Sequence, residues 1–171
     1  MTPSVTKTYP ITFSALFAAF GAGIQVVEQL IPSPFPLPGG RLGLSNVVNM
    51  VVLNTFGLKY ALAVTTVKSL LAVLISGRVS SLLYSVSGGV VSVILMQMSK
   101  KYIKGIGGSG CGIIGAWSNN IVQTAVGAII MSNIHIMSYI WVLGPVSVVT
   151  GAFTGILAEY IGRKLIKWKK Q

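Results

Sequence analysis

Residues 42–76 read LGLSNVVNMVVLNTFGLKYALAVTTVKSLLAVLIS, an almost continuous apolar run that holds Lys59 and Lys68 but no acidic residue. A membrane helix needs only about 20 residues to cross the hydrocarbon core. The run is therefore too long for one span and requires a break. Phe56-Gly57-Leu58-Lys59-Tyr60 supplies it, with a glycine for the turn and a charge for the interface. This reading predicts one helix over 42–56 and a second over 58–76.

The same logic extends both ways along the chain. Gly77-Arg78 breaks the run, and a further apolar helix is expected over 80–98. Lys100 to Gly108 is a basic, glycine-bearing loop. Helices follow over 111–131 and 139–161, separated by the polar turn Ser132 to Ser138 and followed by a basic tail over 163–171. On the N-terminal side, residues 11–31 are apolar. They exceed the length of a signal-peptide core and lack a small-residue cleavage site, so they read as an uncleaved first span. Pro32, Pro34, Pro36 and Pro38 then impose an extended loop, because alternate prolines cannot continue a helix.

Composition agrees with this pattern. Of 171 residues, 53% are hydrophobic and 9% are charged, with a mean hydropathy of +0.79. A soluble domain carries roughly 25% charged residues. The expectation is an all-α integral membrane protein, a six-helix transmembrane bundle forming one membrane domain over 1–171. The net charge of +11 comes from basic residues at the ends of apolar segments, which points to lipid interfaces rather than nucleic acid. With six spans, one side collects Lys7, Lys59, Lys100, Lys101, Lys104, Arg163, Lys164, Lys167, Lys169 and Lys170, while Arg41 and Arg78 fall on the other. The positive-inside rule then places both termini in the cytoplasm.

The scarcity of other reactive groups excludes several chemistries. Glu28 and Glu159 are the two acidic side chains, Cys111 the one cysteine and His135 the one histidine. Paired-carboxylate catalysis, an aspartate-rich diphosphate site, a thiolate cage and a multi-histidine metal site all need more. The expectation is a chain with no catalytic residues, no metal site and no cofactor. Cys111 and the tryptophans read as packing or interfacial groups, and His135 as a loop residue.

The remaining polar residues suggest binding. Arg41 follows Gly39-Gly40 at the start of the second helix, where a guanidinium beside free backbone N–H groups suits an anion, or snorkels to head groups. Lys68 lies eight residues, or about 12 Å, from the end of its helix, a depth that demands a polar cavity or a partner such as Glu28. Asn46 and Asn49 share one helix face, as do Asn119 and Gln123, with Asn120 beside them. These amides either line a cavity or bond helix to helix. Together Arg41, Asn46, Asn49, Lys68, Asn119, Asn120 and Gln123 form the expected binding set, for a small anionic solute. On the first helix Ala18 and Ala22 recur with Ser14, and Ala15, Ala19 and Gly23 form a parallel strip, so another helix can approach closely.

Three ordered blocks carry a family resemblance: Pro38-Gly39-Gly40-Arg41-Leu42-Gly43-Leu44-Ser45-Asn46, Ser85-Val86-Ser87-Gly88-Gly89-Val90-Val91-Ser92-Val93-Ile94-Leu95-Met96 and Gly115-Ala116-Trp117-Ser118-Asn119-Asn120-Ile121-Val122-Gln123. In this order, over about residues 11–165, the chain resembles the Gx transporter family, also labelled heptaprenyl diphosphate synthase component I. One departure is visible: the third block in that family usually has His-Asn where this chain has Asn119-Asn120. The transporter label implies similarity to the substrate-binding S components of energy-coupling factor transporters. There, separate ATP-binding cassette ATPases and a coupling membrane subunit drive uptake of a vitamin-like solute, and small residues on the first helix form part of the docking surface. The resemblance thus implies a solute that is vitamin-like or prenyl/quinone-related, and docking through Ala15, Ala18, Ala19, Ala22 and Gly23. The synthase label implies instead an accessory subunit of prenyl diphosphate synthesis.

Overall fold

The structure, a computed structural model, describes residues 3–30 and 43–169, with side chains over 9–30 and 43–168. The described residues form six α-helices and one 3-10 turn. These are α1 (Pro3–Leu30), α2 (Asn46–Thr55), α3 (Leu58–Ser76), α4 (Ser80–Tyr102), α5 (Gly108–Ile130), a 3-10 segment (Ile134–Tyr139) and α6 (Ile140–Lys169). The breaks fall where the glycines required them. Gly57 and Gly77 take positive φ values of 90° and 69°, which end α2 and α3 without a Cβ penalty.

Five helices are long and apolar enough to cross a membrane, and α2 is not one of them. Its ten residues cover about 15 Å, half of a hydrocarbon core. This corrects the expectation of six equivalent spans. An apolar pattern marks a helix that avoids water, and it does so equally for a lipid-facing span and for a helix enclosed by protein. In α2, valine, methionine and leucine occur on every side, the signature of a helix buried all round. Residues 46–53 are all buried. The other five helices pack around it, in the neighbour order α1, α3, α4, α5, α6.

Glycines set the helix spacing. A Cβ on Gly89 would stand 2.5 Å from the Thr65 methyl of α3, and one on Gly88 would stand 2.6 Å from Asn119 Oδ1 of α5. Between α5 and α6, Gly112 faces the backbone of Gly151 and Gly155, and added Cβ atoms there would overlap main chain. Lipid offers helices no hydrophobic force for association, so this close backbone approach supplies dispersion contact in its place.

The chain's two acids both serve helix N-termini. Glu28 of α1 accepts the backbone N–H groups of Leu44 (2.7 Å) and Ser45 (3.3 Å) just ahead of α2. Glu159 of α6 accepts the Gly108 N–H (2.8 Å) at the start of α5, and also pairs with Arg163. A carboxylate satisfies orphan N–H groups and complements the positive end of the helix dipole.

The bundle is polarised along its axis. At one end the Phe13 and Trp168 rings lie 6.0 Å apart, joining the start of α1 to the end of α6. Phe56 and Tyr60 extend this aromatic cluster to the α2–α3 turn. Lys100 reaches Asn54 at the same end. The exposed outer faces carry Leu16, Phe20, Leu74, Leu83, Ile129, Val149 and Phe153, as lipid contact requires.

Candidate functional site

The polar residues converge at the end of the bundle away from that aromatic cluster. A polar pocket forms beside the start of α2. Glu28 of α1, Ser45 just ahead of α2, Asn46 of α2 and Lys68 of α3 line one side. Ser85 and Gly89 of α4 and Asn119 and Gln123 of α5 complete the wall, with Gly43 at the margin. The pocket is small, with room for about one water-sized sphere. The first turn of α2 forms part of the wall.

The two charges of the pocket meet on the backbone of one residue. Ser45 donates its N–H to Glu28, and its carbonyl accepts from Lys68 Nζ at 2.8 Å. Glu28 is 8% exposed and Lys68 is 2% exposed. The expected Lys68–Glu28 partnership therefore takes the form of a clasp around Ser45, which fixes where α2 begins. A second polar chain runs behind it: Gln25 Nε2 donates to Ser85 Oγ at 2.8 Å, and Ser85 Oγ lies 2.8 Å from Ser69 Oγ.

Some polar atoms here are not satisfied. Asn49 Nδ2 donates to Asn46 Oδ1 at 3.3 Å, which leaves Asn46 Nδ2 and Asn49 Oδ1 without partners. Gln123 Oε1 and Gln25 Oε1 are likewise buried and unpartnered. Each such atom costs about 1–3 kcal/mol. Of these residues Asn46 and Gln123 line the pocket, while Ser14, Gln29, Ser81 and Asn120 carry further unpartnered atoms outside its lining.

The expected binding set thus divides. Asn46, Lys68, Asn119 and Gln123 line the pocket, and Asn49 stands immediately behind Asn46. Asn120 does not join them. It turns to α6, where its Nδ2 donates to Ser147 Oγ at 2.7 Å beside Trp117 and Gly144. Adjacent residues on a helix point about 100° apart, which turns Asn119 toward α4 and Asn120 toward α6. Arg41 lies outside the described residues. Glu28, Ser45, Ser85 and Gln25 were not in the set. The i, i+3 spacing of Gln25 and Glu28 on an otherwise apolar helix was the signal for two of them.

The small-residue strip divides as well. Ala18 and Ala22 are 2% and 1% exposed, packed inside the chain, and so are not open to a separate subunit. Ala15, Ala19 and Gly23 are exposed, and a Cβ on Gly23 would meet nothing within 4 Å. Cys111 is buried and free, while His135 is exposed in the 3-10 segment.

Long apolar helices around a closed polar pocket define a multi-pass helical membrane protein. The chain belongs to the family described as heptaprenyl diphosphate synthase component I, whose model matches residues 17–161. That description names one component of an assembly and so implies a partner subunit. No curated protein and no solved structure matches the chain.

Proposed function

We propose that the protein is the solute-binding membrane component of an uptake system. Separate ATP-binding cassette ATPases and a coupling membrane subunit would energise it. The observation that carries this reading is the pocket: a charged and amide-lined site inside a bundle of long apolar helices, walled by α1, α3, α4, α5 and the first turn of α2. Polar groups in a lipid-embedded chain are costly and concentrate where a solute passes. Loading would require the Glu28–Ser45–Lys68 clasp to open, because the closed pocket admits about one water-sized sphere. The basic residues at the aromatic-cluster end favour a cell-membrane orientation with both termini cytoplasmic, so the pocket faces outward. The exposed face of Ala15, Ala19 and Gly23 is the docking surface for the coupling subunit.

The described wall pairs one carboxylate with one ammonium. It supports a small polar solute and does not by itself demand a net negative charge. The family description favours a second reading, an accessory subunit of heptaprenyl diphosphate synthesis. Neither reading gives this chain a catalytic step, since Glu28 and Glu159 cap opposite parts of the fold. Affinity purification from gently solubilised membranes separates the two. Co-isolated ATPases with a coupling subunit, and a small molecule retained on the chain, support uptake. A soluble prenyl synthase in their place overturns it.

A further inference from the structure

We infer that the α4–α5 turn and the last turns of α6 together form a binding surface for the head group of an anionic phospholipid. The inference is independent of the solute reading and starts from an uneven spread of charge around the bundle. At the aromatic-cluster end, Lys101 lies in the last turn of α4 and Lys104 in the turn after it. Arg163, Lys164 and Lys167 lie near the end of α6, and all five cations are exposed. The bond from the Gly108 N–H to Glu159 ties the start of α5 to this part of α6, which brings the two groups to one side of the bundle. Glu159 is the one acidic side chain among them. On the α1–α3 side of the same end, the described side chains hold Lys59 as their one cation. The positive-inside rule sets how many cations one end collects, and it does not gather them on one side.

The surroundings of these lysines suit the membrane interface. Lys101 Nζ stands 5.5 Å from the Tyr102 ring centroid, and Lys164 Nζ stands 4.6 Å from that of Tyr160. Both tyrosines are exposed, and so are Ile103, Ile166 and Trp168. Tyrosine and tryptophan favour the head-group layer. A lysine held over such a ring has its stem against apolar surface and its ammonium near phosphate depth. An acidic protein surface or a soluble phosphate would answer the charges and leave the isoleucines and rings in water. A phospholipid answers both, with phosphate for the lysines and acyl chain for the apolar residues. A zwitterionic head group brings its own cation to this cluster, so the surface selects lipids of net negative charge.

The test is native mass spectrometry of the whole protein in detergent. It is titrated with equal amounts of phosphatidylglycerol and phosphatidylcholine bearing the same acyl chains. Wild type should retain phosphatidylglycerol in preference. The double variants Lys101→Gln with Lys104→Gln, and Lys164→Gln with Lys167→Gln, should each weaken that retention by about fivefold per lysine removed. Lys59→Gln, at the same end on the α3 side, should leave it unchanged. All these positions are exposed, and an unchanged melt by Cys111 reactivity shows that each variant is folded. Glycerol 3-phosphate at millimolar concentration should not displace the lipid, which separates a lipid site from a site for free phosphate. Equal retention of the two lipids, an equal loss in Lys59→Gln, or displacement by glycerol 3-phosphate overturns the inference. So does an acidic protein that co-purifies with wild type and not with the lysine variants, in the absence of a lipid preference. The uptake reading stands under each of these outcomes, because the polar pocket lies at the other end of the bundle.

Discussion

Replacing Glu28 by alanine should unfasten the start of α2. The carboxylate accepts one N–H at 2.7 Å and a second at 3.3 Å, ahead of a ten-residue helix that is otherwise enclosed by apolar side chains. A hydrogen bond to a charged group contributes about 1.5–3 kcal/mol. The shorter bond deserves about 2 kcal/mol and the longer, at the edge of hydrogen-bond range, about 1 kcal/mol. Their loss sums to about 3 kcal/mol, and for a chain of this size each kcal/mol shifts the melting temperature by about 2–4 °C. The expected fall is therefore about 6–12 °C. Glu28→Gln keeps a neutral acceptor of the same length and should lose about half as much. Cys111 is 1% exposed and is the chain's one cysteine, so its reaction with a fluorogenic thiol dye on heating reports unfolding directly. Glu159→Gln is the control. Glu159 also meets a helix start, but its side chain is 36% exposed and partly solvated, and its removal should cost less than about 1 kcal/mol. A Glu28→Ala protein that melts within about 1 °C of wild type, or no lower than Glu159→Gln, would refute the claim that the carboxylate anchors α2.

Three further outcomes are expected. Gly112→Leu should destabilise by about 3 kcal/mol or prevent folding, because its side chain would enter the Gly151–Gly155 backbone of α6; the same thiol-dye melt measures it. Gly23→Leu should leave the melting temperature unchanged, since nothing lies within 4 Å of its Cβ position, yet reduce recovery of the coupling subunit in affinity purification. In a Cys111→Ser background, Lys104→Cys and Lys167→Cys should react with an impermeant thiol reagent from one side of the membrane and His135→Cys from the other, which vesicle labelling reads out.

How much of the site was legible follows from particular residues. Lys68 and Glu28 stood out because charge is rare in this chain, and a charge at membrane depth needs a polar destination. Their joint target, the backbone N–H and carbonyl of Ser45, did not stand out, because backbone groups leave no trace in residue identity. Asn119 and Asn120 look alike in sequence and part company only when helix phase sends one toward α4 and the other toward Ser147 of α6. Ala18 and Ala15 belong to neighbouring strips of one helix, and burial alone tells the internal face from the open one.

By itself the sequence determined that this chain is helical and built to sit in lipid, and it placed the breaks at Gly57 and Gly77, because hydropathy and glycine turns act locally; the proline cluster over residues 32–38 lies outside the described residues. Tertiary structure alone decided that α2 is an enclosed helix rather than a sixth span, since an apolar helix satisfies its side chains equally in lipid or in protein. It also decided which amides share a pocket. Two side chains meet when helix phase, glycine-set spacing and chain direction agree, and those quantities are properties of pairs of helices that no single segment encodes.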